Sequence, residues 1–95
     1  LPKFPSVRRD LALILDKNVN FEQVKNVAFT AENKILKSVS LFDIYTGDKI
    51  PEGKKQYALS FILLDTQKTL TDKVIEKTMA KIQAAIEQQL KATLR

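Results

Sequence analysis

A chain of 95 residues, 44% of them hydrophobic, has room for one domain with a two-layer core that needs neither metal nor disulfide. It contains no cysteine and no histidine, which excludes disulfide scaffolds, thiolate nucleophiles and cysteine-based metal sites, and removes the usual general base and the commonest metal ligand. Sixteen Lys and Arg against eleven Asp and Glu leave a formal charge of +5, a moderate bias toward a phosphate-bearing partner, and no apolar run approaches the ~20 residues that cross a bilayer.

The opening Leu1-Pro2-Lys3-Phe4-Pro5 pairs poorly as a central strand and has no initiating Met, so this end is expected to be cut from a longer chain. From Ser6 to Asp16 the alternation predicts a first strand, with Val7, Leu11, Leu13 and Leu15 on one face and Arg8, Asp10, Ala12 and Ile14 on the other. Asn20 with Gln23 three residues on has capping-box spacing. It opens a first helix with the stripe Phe21, Val24, Val27, Ala28 and Ala31, expected to close near Asn33 in a left-handed conformation. Ile35 to Tyr45 reads as a second strand and Lys54 to Leu64 as a third, with Tyr57, Leu59, Phe61 and Leu63 inward. Gly47, Pro51 and Gly53 punctuate the hairpin connection between them. Thr71 caps a second helix along Ile75, Met79, Ile82, Ile86 and Leu90, with Leu70 placed to staple onto Ile75, and Ala92 to Arg95 remains for a short last strand.

This order predicts an α+β, ferredoxin-like βαββαβ fold: an antiparallel four-stranded sheet with two helices on one face. With the apolar positions turned to the helices, the open face receives Arg8 and Asp10, then Lys37, Asp43 and Tyr45, then Gln56 and Ser60. Within Phe42-Asp43-Ile44-Tyr45-Thr46-Gly47-Asp48, strand alternation puts Asp43 and Tyr45 on one side and Phe42 and Ile44 on the other. A ring that stacks on a base beside a carboxylate that accepts from its edge would read one unpaired nucleotide. The same residues also suit an Asp closing a turn and a Tyr shielding an exposed sheet.

Five separated segments carry a family resemblance: Phe4-Pro5-Ser6-Val7-Arg8-Arg9-Asp10-Leu11, Leu41 to Asp48, Ile50-Pro51-Glu52-Gly53-Lys54-Lys55, Lys68-Thr69-Leu70-Thr71-Asp72, and the closing Leu94-Arg95. In order and spacing the chain resembles the ferredoxin-fold anticodon-binding domain found at the C-terminus of the β subunit of bacterial phenylalanyl-tRNA synthetase. The resemblance implies that residues 1–95 are one domain of a longer, cytoplasmic polypeptide. This would be a non-catalytic module contacting the anticodon of the tRNA for phenylalanine, beside an α subunit in an α2β2 class II ligase. It implies no cofactor in this domain, ATP and magnesium serving the parent enzyme, and neither a membrane nor DNA as partner. By the resemblance, Tyr45 stacks on the first anticodon base, a guanine, and Asp43 bonds its edge. The family commonly has a serine after the lysine pair to supply a donor to the guanine carbonyl. Here Gln56 stands in its place, followed by Tyr57 where a smaller aliphatic residue is common, and Gln56 is expected to take over that donation, directly or through a water.

Arg8, on the open face, is a phosphate or base-stacking candidate, and Asp10 is expected to tie Arg8 or a turn rather than touch RNA. Arg9 is expected to pair with an acidic group or snorkel at the sheet edge. Lys49, Lys54 and Lys55 flank the hairpin loop and suit the RNA backbone, whereas Lys73, Lys77 and Lys81 read as a solvated helix face. Other function classes share this architecture. An acylphosphatase-type enzyme needs a glycine-rich loop where Asp16-Lys17-Asn18-Val19 has none, and a common RNA-recognition motif needs aromatics on both central strands. A small-molecule regulatory module that dimerises edge to edge is the remaining alternative.

Overall fold

In the computed structural model, which describes residues 4–95, the elements run β1 (Val7–Asp16), α1 (Phe21–Ala31), β2 (Leu36–Tyr45), β3 (Lys54–Leu63), α2 (Asp72–Leu90) and β4 (Thr93–Leu94). Pro2 and the start of the expected lead-in lie outside the described residues. The sheet order is β2-β3-β1-β4 with every pairing antiparallel. This is the expected ferredoxin-like βαββαβ arrangement. Among the described residues no helix is long and apolar enough to cross a membrane.

Local chemistry fixes the helix ends. At α1 the Gln23 N–H donates to Asn20 Oδ1 and the Asn20 N–H donates to Gln23 Oε1, each at 2.9 Å, closing the capping box. At α2 the Val74 N–H reaches Thr71 Oγ1, and Leu70 and Ile75 both enter the core. The odd-numbered residues Leu13, Leu15, Tyr57, Leu59, Phe61 and Leu63 meet Val24 and Ala28 of α1 and Ile75, Ile82 and Ile86 of α2 in one apolar cluster. Removing a fully buried side chain such as Phe61 from it would cost about 3–5 kcal/mol.

Two local expectations differ. Helix α1 does not end in a left-handed Asn33: it closes one residue earlier, at an extended Glu32. The buried Glu32 carboxylate then accepts from the N–H groups of Lys34 and Ile35 and from Lys81 Nζ at 2.6 Å. The Glu32 N–H still donates to the Ala28 carbonyl, and the carboxylate fastens the chain beyond the helix through two backbone donors, so the turn is held without a left-handed residue. The left-handed turn is instead at Lys91, after α2. Lys81 is correspondingly no solvated spectator but the link between the two helices.

Burial alone would raise the Glu32 pKa, but the bonds from Lys81, Ile35 and Lys34 outweigh it and hold the carboxyl below its ordinary 4.5. A depressed folded pKa gives stability that is complete above the ordinary value and lost as pH falls through the folded one. Glu32→Gln should therefore lower the unfolding free energy in urea by about 1–3 kcal/mol at neutral pH. The gap to the parent should close in acid, and a gap that stays constant there would show that the charge is not its source.

Candidate nucleic-acid interface

The face of the sheet away from the helices is shaped by an irregularity in β2. Leu41 pairs with Leu59, but Asp43 pairs with Ala58, so Phe42 is an extra residue with no partner of its own. Such a β-bulge shifts the side-chain alternation by one. Leu41 therefore keeps the helix side with Leu59, whereas Asp43 and Tyr45 take the open side, opposite Ala58 and Gln56. The expected pairing of Asp43 with Tyr45 on one face is observed.

The expected placement of Phe42 with Ile44 is not. Ile44, opposite Tyr57, keeps the helix side, but Phe42 is carried to the open face, where the Arg8 guanidinium lies 5.4 Å from its ring centroid. Phe42 remains 53% exposed, forgoing much of the about 1.5–3 kcal/mol that full burial would give. Lys37, at a second register shift between Leu36 and Ser38, donates to the Lys34 carbonyl and is tied to the α1–β2 connection.

At the loop end of the open face, the Tyr45 ring is folded back over Gly47. A Cβ built at Gly47 would lie 2.5 Å from Tyr45 Oη and 2.8 Å from Cζ. A side chain at that position would push the free end of the ring aside. The loop continues in two turns, Ile50 N–H to the Gly47 carbonyl and Lys54 N–H to the Pro51 carbonyl, with buried Ile50 as its anchor. Gly53 sits at φ +82°, the third position of the second turn, where a type II geometry favours glycine.

Tyr45 is 42% exposed, and the Asp43 carboxylate is exposed with no hydrogen-bond partner among the described residues. Gln56, opposite Tyr45, has its Oε1 sealed from solvent without a donor, while its Nε2 makes no hydrogen bond to a described residue. A buried acceptor left unpaired in this way calls for an explanation. Carboxylate, ring and amide thus occupy neighbouring positions on the open face of β2 and β3.

The cations divide. Arg8 Nε donates to Asp10 Oδ1 at 2.9 Å, as expected, while Arg9 finds the Arg8 carbonyl rather than an acid. Lys49 is exposed on the loop without a partner among the described residues. Lys54 lies toward the open side but bridges Asp16, whose carboxyl that hydrogen bond and charge hold below its ordinary value. Lys55 departs from expectation. It has helix-side parity, lies 4.6 Å over the Tyr57 ring and donates to the carbonyls of Lys17 and Val19. Its alternation with Lys54 along β3 sends the two side chains to opposite faces, so they do not form one phosphate-facing pair.

Sequence reasoning missed the position of Phe42, the close contact at Gly47 and the anchoring role of Ile50. The first was signalled in the sequence: Leu41 belongs to the core and Asp43 to the surface, two residues apart, which regular alternation forbids.

A comparison with protein families matches residues 2–95 to the ferredoxin-fold anticodon binding domain. The β subunit of phenylalanine–tRNA ligase from Porphyromonas gingivalis is 54% identical over 95 residues, the one from Bacteroides thetaiotaomicron 52%, and the one from Bacillus subtilis 41%. Each alignment covers 100% of this chain and 12% of the relative, so the chain spans about an eighth of those proteins. With the fold and a match over nearly its whole length, the chain belongs to the ferredoxin-fold anticodon-binding domain family.

Proposed function

We propose that this chain is the anticodon-binding domain of a cytoplasmic phenylalanyl-tRNA synthetase β subunit. It is a non-catalytic module that grips the tRNA for phenylalanine while aminoacylation proceeds elsewhere in an α2β2 enzyme, the domain having been taken from the C-terminal end of the longer polypeptide. The observation that carries this reading is the grouping of the Tyr45 ring, the free Asp43 carboxylate and the Gln56 amide on a face with no helix over it, in a chain of this family. ATP and magnesium would act in parts of the parent outside this chain; among the described residues no three acidic, His or Cys side chains are grouped to hold a metal ion.

The chemistry follows from hydrogen-bond inventory. A guanine edge offers an imino and an amino donor side by side, which one carboxylate accepts as a pair, and a carbonyl that needs a donor. Asp43 supplies the acceptor, Gln56 Nε2 the donor, and Tyr45 the stacking surface. Each contact is worth roughly 1–3 kcal/mol, so the domain alone binds weakly and depends on contacts elsewhere in the parent for useful affinity. Lys49 adds salt-sensitive attraction to phosphate, Lys54 and Arg8 add less because Asp16 and Asp10 already pair with them, and Lys55 serves mainly to hold the β1–α1 connection. The alternative of a small-molecule module dimerising edge to edge gains no support from the three relatives named above, each a β subunit of phenylalanine–tRNA ligase.

Titration of this chain with an anticodon stem-loop tests the assignment. Tyr45→Ala should weaken binding about 5- to 150-fold at every salt concentration, and exchanging the first anticodon guanine for adenine should cost the parent a comparable factor. Lys49→Gln should instead lower the salt slope by about one and lose little at high salt. If both variants lost affinity with the same salt dependence, the division of roles would be wrong. Gly47→Ala should weaken binding by displacing the Tyr45 ring while leaving the urea midpoint near that of the parent, because only the free end of a side chain must move. Unchanged RNA binding by this variant would show that the ring needs no such seat.

A further inference from the structure

The bulge that orients Asp43 and Tyr45 also delivers a second aromatic ring to the open face. Phe42 has no polar atom and stands more than half exposed in a row that holds Ser38, Ser40, Asp43 and Tyr45. The Arg8 guanidinium lies 5.4 Å from its centroid and is held there at the other end by Asp10, to which Nε and Nη2 both donate. Arg8 and Phe42 are on strands separated by β3. Their contact is possible because the open-face residues of β3 between them, Ala58 and Ser60, are small, and Ser60 is buried although no helix lies on that side. The result is a surface that is part ring and part guanidinium, with its Arg already paired before any ligand arrives.

We infer that Phe42 with Arg8 is a second base-stacking platform, which takes the nucleotide next to the one held by Tyr45. This deepens the anticodon-binding reading and rests on it. Phe42 is three residues from Tyr45, at most ~10 Å along the strand, within the span of a neighbouring nucleotide in a splayed loop. The charge suits an RNA strand: a cation lies on the ring and its partner carboxylate is already occupied. Aromatic faces and guanidinium planes both stack bases without demanding a particular one, so this platform adds affinity and direction rather than sequence preference. A neighbouring protein surface is the competing occupant, and the test separates the two.

The experiment compares the parent chain, Phe42→Ala, Phe42→Tyr and Tyr45→Ala. Each is titrated with the anticodon stem-loop and with loops made abasic at the nucleotide on either side of the first anticodon base, and urea unfolding reports the fold of each variant. Phe42→Ala should bind the intact loop about 5-fold or more weaker, Phe42→Tyr should bind like the parent, and one of the abasic loops should abolish the difference between Phe42→Ala and the parent. Tyr45→Ala should lose affinity on all three loops. Equal binding of the intact loop by Phe42→Ala and the parent, or the same loss on all loops, overturns the second platform and leaves Phe42 to a protein contact or a purely structural role. If the parent fails to bind any loop, the anticodon-binding reading falls as well, so the two failures are distinct.

Discussion

The constraint on which the open face depends is a conflict of parity in β2. Leu41 must face the helices to close the core against Leu59, and Asp43 must face away to leave a carboxylate in water, yet the two are only two residues apart. A regular strand would bury the acid or expose the leucine. One unpaired residue resolves the conflict, and everything functional downstream of it, from the side on which Asp43 emerges to the position of Tyr45 over Gly47, inherits its geometry from that insertion. The same extra residue is Phe42, so resolving the parity conflict and displaying a ring are one structural event.

The formal charge of +5 overstates the cation surface offered to a polyanion. Lys54 is bridged to Asp16, Lys81 to Glu32 and Arg8 to Asp10, while Lys55 and Lys37 are engaged by backbone carbonyls. The more exposed pairs, Lys54–Asp16 and Arg8–Asp10, add little stability individually. They do fix where side chains lie: Lys54 and Lys55 fasten the start of β3 to the β1–α1 connection from its two sides, beside the hydrogen bond from the Lys17 N–H to the Gly53 carbonyl. Most of the basic residues near the loop thus shape the platform before they attract anything to it.

The fold was legible because each layer of signal agreed: period-two alternation in β1 and β3, the Asn20–Gln23 box, the Thr71 cap and the four-and-three spacing along α2. What escaped was whatever depends on one residue's displacement or on a contact distant in sequence. The bulge was visible only as an inconsistency between Leu41 and Asp43. The Glu32–Lys81 link joins residues 49 apart in sequence, a contact that no local rule anticipates. Lys55 could have been separated from Lys54 by strand parity alone, since adjacent strand residues face opposite ways. Gln56 was legible as a position but not as an orientation, because only packing decides which end of an amide is sealed.

The site straddles two strands of unequal security. Strand β3 is laddered on both sides, with β1 along its full length and with β2, so the backbone beneath Gln56 should be among the slowest in the molecule to exchange its amide hydrogens. Strand β2 has a neighbour on one side only, and beyond the bulge it runs past the helix layer, where Ile44 keeps helix-side parity yet stays 57% exposed. On the proposed reading the Gln56 donor is therefore set on the doubly laddered strand, while the acid and the ring sit on an edge strand with fewer partners. Such a clamp, one jaw fixed and one compliant, would tolerate small differences in how a loop presents its base, and closing it would carry an entropic toll recorded as newly protected amides from Asp43 to Tyr45.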